Sequence, residues 1–134
     1  MALAEKVERL RNVPLFASLD DEAIGLVASV ANDYEAPAGR VMIEPKQSGT
    51  GMFVIEDGTV RTELRGGATR TLGPGDCFGE IALLSSDGDR TARVRAETDV
   101  RCIAIGREDF RHLLEREPRI ALALLEVLAE RLAG

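Results

Sequence analysis

The hydrophobic pattern changes period twice along the chain. Leu3, Val7 and Leu10 recur at helical spacing with charged residues between them, which predicts a first helix. Asn12-Val13-Pro14 should end it, because a residue before proline is pushed out of the α region. A second helix is expected from an N-cap at Asp20 to about Ala31, with Ile24, Val27, Ala28 and Ala31 as its buried stripe. From Asp33 to about Ile105 the period falls to two. Val60 to Arg65 alternates cleanly, and so does Arg90 to Ala96; Val100 to Ile105 closes the set. After Gly106 the helical period returns. Phe110, Leu113 and Leu114 share one face, Pro118 interrupts, and Arg119 to Leu132 carries Ile120, Leu124, Leu128 and Leu132 along one side.

Turn residues sharpen the middle region. Ten of the 13 glycines fall between Gly39 and Gly88. Asp57-Gly58 and Arg65-Gly66-Gly67-Ala68 read as hairpin turns, and Gly73-Pro74-Gly75-Asp76 as a loop. Short strands at regular spacing argue for a small antiparallel jelly-roll barrel. The expected class is α+β, with N-terminal helices (1–32), a β barrel (33–106) and two C-terminal helices (107–134) in a single domain of 134 residues.

Composition narrows the function. Aromatics make up 4% and Trp is absent, so the core should be aliphatic. With 17 Lys+Arg against 23 Asp+Glu the net charge is −6, which gives no general attraction to nucleic acid or anionic lipid. The longest uncharged apolar run, Ile120 to Leu125, is too short to span a bilayer, and the first residues lack a signal-peptide core. A cytoplasmic protein without membrane insertion is the expectation. Cys77 and Cys102 read as small hydrophobic strand residues, and His112 as a solvated helix residue. One histidine and two cysteines at no ligand-like spacing speak against a metal site and against a metal-dependent cupin enzyme, the other chemistry a small jelly roll invites.

The chemistry concentrates between Cys77 and Val94. Gly79 permits a positive φ or a close backbone approach. Ile81 to Leu84 is long enough for one helical turn, whose free N–H groups suit a phosphate. If β structure resumes at Arg90, that residue shares the apolar face of Ala92, Val94 and Ala96. A guanidinium pointing into a barrel requires a counter-charge. Either a carboxylate (Asp76, Asp89 or Glu80) or a bound anion supplies it.

The run Gly73-x-Gly75-Asp76-x-Phe78-Gly79-Glu80-Ile81-Ala82-Leu83, followed by Arg90-Thr91-Ala92, resembles the phosphate-binding cassette of cyclic-nucleotide-binding domains. Val13-Pro14-Leu15-Phe16-x-x-Leu19, Ala38-Gly39-x-Val41, Met52-Phe53-Val54-Ile55-x-x-Gly58 and Arg107-Glu108-Asp109-Phe110 are similar to further landmarks of that family. The stretch Arg90 to Ala96 resembles the version found in cyclic-nucleotide-gated and hyperpolarisation-activated channels. The resemblance implies a regulatory sensor module, not an enzyme, that binds cAMP or cGMP and needs no cofactor. It implies a cassette over 78–92. Glu80 would accept from the ribose 2′-hydroxyl and Arg90 would pair with the cyclic phosphate. Backbone N–H groups of Gly79, Ile81 and Ala82 would cradle that phosphate, with Phe78 and Ala92 at the cassette's ends. Thr91 would sit where cGMP is accommodated in some members, and Arg131 where channel members place a base-facing arginine. The final helix would be a moving lid. Signal output would pass to a protein effector or to an output domain outside the chain. A ligand-free interaction domain of the same fold is the alternative.

Three positions depart from the family pattern. The Ala82 to Arg90 spacing is one residue longer than usual, with Asp87-Gly88-Asp89 as the expected bulge. Lys46 stands where the family usually has Gly. Arg93 stands where many members have Thr, and alternation puts it on the outer face.

Overall fold

The computed structural model describes residues 3–44, 51–64, 66–79 and 92–133. They form two compact units, 1–31 with 108–134, and 32–107.

In the first unit, helix α1 spans Leu3–Arg11 and α2 spans Asp21–Val30. Asp20 caps α2 as expected: its carboxylate accepts from the backbone N–H of Ala23 at 2.8 Å. Between the helices the chain turns tightly, with Val13 N–H donating to Leu10 and Phe16 N–H to Val13. Lys6 Nζ donates to the carbonyl of Ala31 at 2.8 Å, and Arg11 pairs with Asp21. Leu10 is fully buried, but Leu3, on the same face at the helix's first residue, is exposed. Helix α3 spans Arg107–Arg116 and α4 spans Pro118–Ala133. Pro118 is the first residue of α4 rather than a gap before it, a position where the missing N–H costs nothing. Phe110 and Ile120 are fully buried, whereas His112 is exposed.

The second unit holds eight strands among the described residues: β1 Ala31–Ala36, β2 Val41–Ile43, β3 Gly51–Asp57, β4 Val60–Leu64, β5 Thr69–Leu72, β6 Cys77–Phe78, β7 Ala92–Ala96 and β8 Val100–Gly106. They form two four-stranded sheets in the orders β1-β8-β3-β6 and β2-β7-β4-β5. Each strand of the first half pairs with its mirror in the second half, which is jelly-roll topology. The sheets stay separate, so the fold is a two-sheet jelly roll and not a closed barrel.

One turn differs from expectation. Strands β4 and β5 do form a hairpin across Gly66-Gly67, paired from Val60↔Leu72 to Glu63↔Thr69, while Arg65 lies outside the described residues. Asp57-Gly58 does not join one. Strand β3 lies in one sheet and β4 in the other, so Gly58 turns a corner between sheets. Its φ is +90°, and a Cβ there would fall 2.3 Å from the carbonyl oxygen of Asp99. Thr59 fastens the corner, donating its N–H to Thr98 Oγ1 and accepting from Glu97 N–H, each at 3.0 Å.

The core between the sheets takes Phe53, Ile55, Phe78 and Cys102 from one side and Ile43, Val60, Leu72, Val94 and Ala96 from the other. It is not purely aliphatic. The rings of Phe53 and Phe78 stack at 5.1 Å and 16°, and Tyr34 meets Phe53 edge-on at 5.1 Å. Three of the chain's five aromatics thus gather at one point, where the small side chain of Ala104 is the ladder partner of Phe53.

Candidate functional site

The approach to the cassette is built from residue 73 onward. Pro74 and Gly75 occupy the two central positions of a type II turn: Gly75 has φ +91°, and Asp76 N–H donates to Gly73 at 3.0 Å. The Asp76 carboxylate accepts from Gly73 N–H at 2.9 Å. It therefore has a local task in its own turn, which weakens its claim as the partner of Arg90. The turn is stitched to β3, with Gly75 N–H donating to Ile55 at 2.8 Å and Ile55 N–H to Asp76 at 2.9 Å.

Strand β6 follows at the sheet edge, with Val54↔Cys77 and Phe53↔Phe78 in register. The Phe78 ring is 3% exposed and lies in the core, so this residue anchors the segment by its side chain and can offer a ligand little beyond its backbone. Gly79 then adopts φ +91°, the conformation its residue type permits. Glu80, Ile81, Ala82, Arg90 and Thr91, as well as Asp87 to Asp89, lie outside the described residues. So does Lys46. Ala92 opens β7 opposite Leu64, and Arg131 lies within α4; the side chains of both are outside the described atoms. The structure thus brings the two ends of the cassette to different sheets, β6 in the first and β7 in the second.

Two other sites carry no comparable chemistry. A shallow opening of about 520 Å³ is lined by Glu35, Asp57, Asp99 and Arg101 with Ala36 and Pro37. Three carboxylates against one guanidinium disfavour an anionic ligand there. Cys77 and Cys102 are buried and form no disulfide, as their strand positions suggest. Burial, and then the charge of Glu56, pushes the Cys102 thiol up to about 12, so it is not a nucleophile near neutral pH. Among the described residues no helix is long and apolar enough to cross a membrane.

Some residues of this region were not legible in sequence. The alternation of β7 does place Arg93 outside, but its partners, Glu44 and Glu63, lie far from it in the chain. No local signal names them. The Tyr34, Phe53 and Phe78 cluster likewise arises from strand order, not from spacing.

The family model described as "Cyclic nucleotide-binding domain" matches residues 34–117. The chain belongs to the cyclic nucleotide-binding domain family. It is 36% identical over 129 residues to the cyclic AMP receptor protein of Thermus thermophilus, an alignment covering 92% of this chain and 59% of the receptor. It is 34% identical over 107 residues to a cAMP-dependent protein kinase regulatory subunit of Emericella nidulans, covering 78% of this chain and 26% of the subunit. Its fold matches the crystal structure of the Thermus thermophilus catabolite activator protein with a TM-score of 0.75 at 35% identity, over 90% of this chain and 58% of that one. The chain spans under two thirds of each of these relatives.

Proposed function

We propose that this cyclic nucleotide-binding domain is a regulatory sensor for cAMP or cGMP and performs no catalysis of its own. The observation that carries the reading is the family match over residues 34–117, which contains the entire candidate cassette. Two of its relatives are named for cyclic AMP or for dependence on it. In this reading Arg90 pairs with the cyclic phosphate, and Glu80 accepts from the ribose 2′-hydroxyl. Backbone N–H groups of Gly79, Ile81 and Ala82 hold the remaining phosphate oxygens. A guanidinium suits this task because its planar fork can donate twice to one phosphate. Thr91 offers a hydroxyl acceptor to the 2-amino group of a syn guanine, which adenine lacks. Arg131 in α4 faces the base, and α4 moves to close the site. A ligand shifts such a helix only by its differential affinity for the two positions. The moved helix then acts on a protein effector or an output domain. Two cysteines that form no disulfide fit a reducing, cytoplasmic setting.

Ligand that binds only the folded state stabilises it by about 2.7 kcal/mol at a hundredfold excess over Kd. A thermal melt with millimolar cAMP or cGMP is therefore expected to shift upward. No shift with either nucleotide leaves the ligand-free interaction domain as the better reading. Thr91→Ala is expected to weaken cGMP about two- to tenfold, the worth of one neutral hydrogen bond, and to leave cAMP unchanged. Equal losses for both would mean that Thr91 serves the phosphate.

A further inference from the structure

Strand β7 leads directly out of the cassette, and its outer face is held by charge. Arg93 donates from Nε to Glu44 Oε2 at 3.2 Å, and its Nη2 lies 3.1 Å from the same oxygen. Its Nη1 is 3.7 Å from Glu63 Oε2. Glu44 follows β2, and Glu63 is the ladder partner of Arg93 on β4. One guanidinium thus spans three strands, β2, β7 and β4. The backbone ladder is weakest at this place: β2 is three residues long, and its register against β7 is irregular between Val41 and Ile43. Glu63 also neutralises Arg61 at 3.7 Å and Arg95 at 3.8 Å, two arginines that stand directly opposite each other. Like charges in that relation repel unless a carboxylate lies between them.

We propose that Arg93, clamped by Glu44 and Glu63, is a positioning residue for the ligand site: from the solvent side it fixes the first rungs of β7, and with them Arg90 and Thr91. The inference rests on the reading above that Arg90 and Thr91 meet the nucleotide. Arg93 is two residues beyond Thr91, and its described ion pairs are with Glu44 and Glu63 on the solvent face of β7, opposite to Val94 in the core. Its effect on ligand is therefore indirect. Its effect on global stability is small, since all three side chains are partly exposed and such pairs are screened by water. A clamp of this kind changes where a strand end sits more than whether the domain folds. Arginine suits it better than the threonine common at this position, because a threonine side chain cannot reach carboxylates on both neighbouring strands.

The test is isothermal titration of cAMP into the full chain and its variants, paired with thermal unfolding of each without ligand. Arg93→Ala is expected to raise Kd roughly three- to tenfold, within the range seen for residues that act on a site without touching its ligand. The ligand-free unfolding midpoint is expected to stay within a few degrees of wild type. Glu44→Gln, which leaves Arg93 in place, should give a smaller change of the same sign. Arg93→Lys, which keeps the charge but loses the planar fork, should retain more of the affinity than Arg93→Ala. A Kd for Arg93→Ala within twofold of wild type overturns the inference while leaving the cyclic-nucleotide reading intact. So does a loss of affinity that appears only in variants whose ligand-free fold is also lost. Wild-type protein that binds neither cAMP nor cGMP overturns both.

Discussion

Strands β3 and β7 are both interior strands of their sheets, yet they are built on opposite terms. In β3, Gly51 to Ile55 are all buried, so both faces of the strand are removed from water. In β7, Val94 and Ala96 are buried while Arg93 and Arg95 lie partly exposed in an ion-pair network. The first strand is fixed by packing, which is strong and insensitive to salt. The second is fixed on one face by packing and on the other by charge, which is weak and screened. The difference matters because β3 supports the approach to the cassette, through Phe53 and Ile55, whereas β7 carries the chain away from it.

The comparison is broken most severely in β3. Phe53→Ala removes a ring that is 9% exposed and contacts both Tyr34 and Phe78, and is expected to cost about 3–5 kcal/mol in chemical denaturation. A loss below 1 kcal/mol would mean that the aromatic cluster is not a structural anchor. Next is the corner that sends β3 into the other sheet. Gly58→Ala must give up a positive φ and displace backbone at Asp99, for an expected cost on the order of 3 kcal/mol. At the other end of the scale, Asp20→Ala, which removes the cap of α2, should cost about 1 kcal/mol. Arg93→Ala should cost no more than about 1 kcal/mol of stability, and the difference from wild type should shrink as salt is raised.

The buried thiol of β8 supplies a pH-dependent check on the same packed sheet. Cys102 has a folded pKa of about 12 against an ordinary value of 9.0, so the folded state favours the protonated thiol. Its contribution is fully present below pH 9 and is lost as the pH rises through about 12. Unfolding midpoints of wild type and Cys102→Ala should therefore converge as pH rises through that window. A thiol reagent at pH 8 should label Cys102 in urea and leave it unlabelled in the folded protein; rapid labelling of the native state would place the thiol at the surface.

Much of this frame was legible because its signals are local. Asp20 announces the cap that it makes with Ala23, and Arg65 to Ala68 contain the glycines that a hairpin needs. Gly79 stands where the chain takes a positive φ. The family was legible for another reason: a dozen residues in fixed order resemble its cassette, and the family model then matched the chain. What sequence hid is non-local. Asp57-Gly58 has the chemistry of a hairpin turn whether or not the flanking strands pair, and only the partners of β3 and β4 decide that. The start of β1, expected at Asp33, was similarly obscured, because Ala31 closes α2 and begins β1 with no loop between. Alternation could place Arg93 outside. It could not reveal that Glu44, 49 residues earlier, would be its partner.

The central claim is that Arg90 receives a cyclic phosphate from the β7 side of the site. The most direct measurement is calorimetric titration of cAMP into wild type and Arg90→Ala. Truncating one partner of a desolvated charge pair typically costs about 2–5 kcal/mol. The account predicts saturable binding to wild type and affinity lower by roughly thirty- to several-thousandfold in Arg90→Ala, with the ligand-free fold retained. Equal affinity in the two proteins would contradict it, and would place any phosphate site elsewhere in the chain.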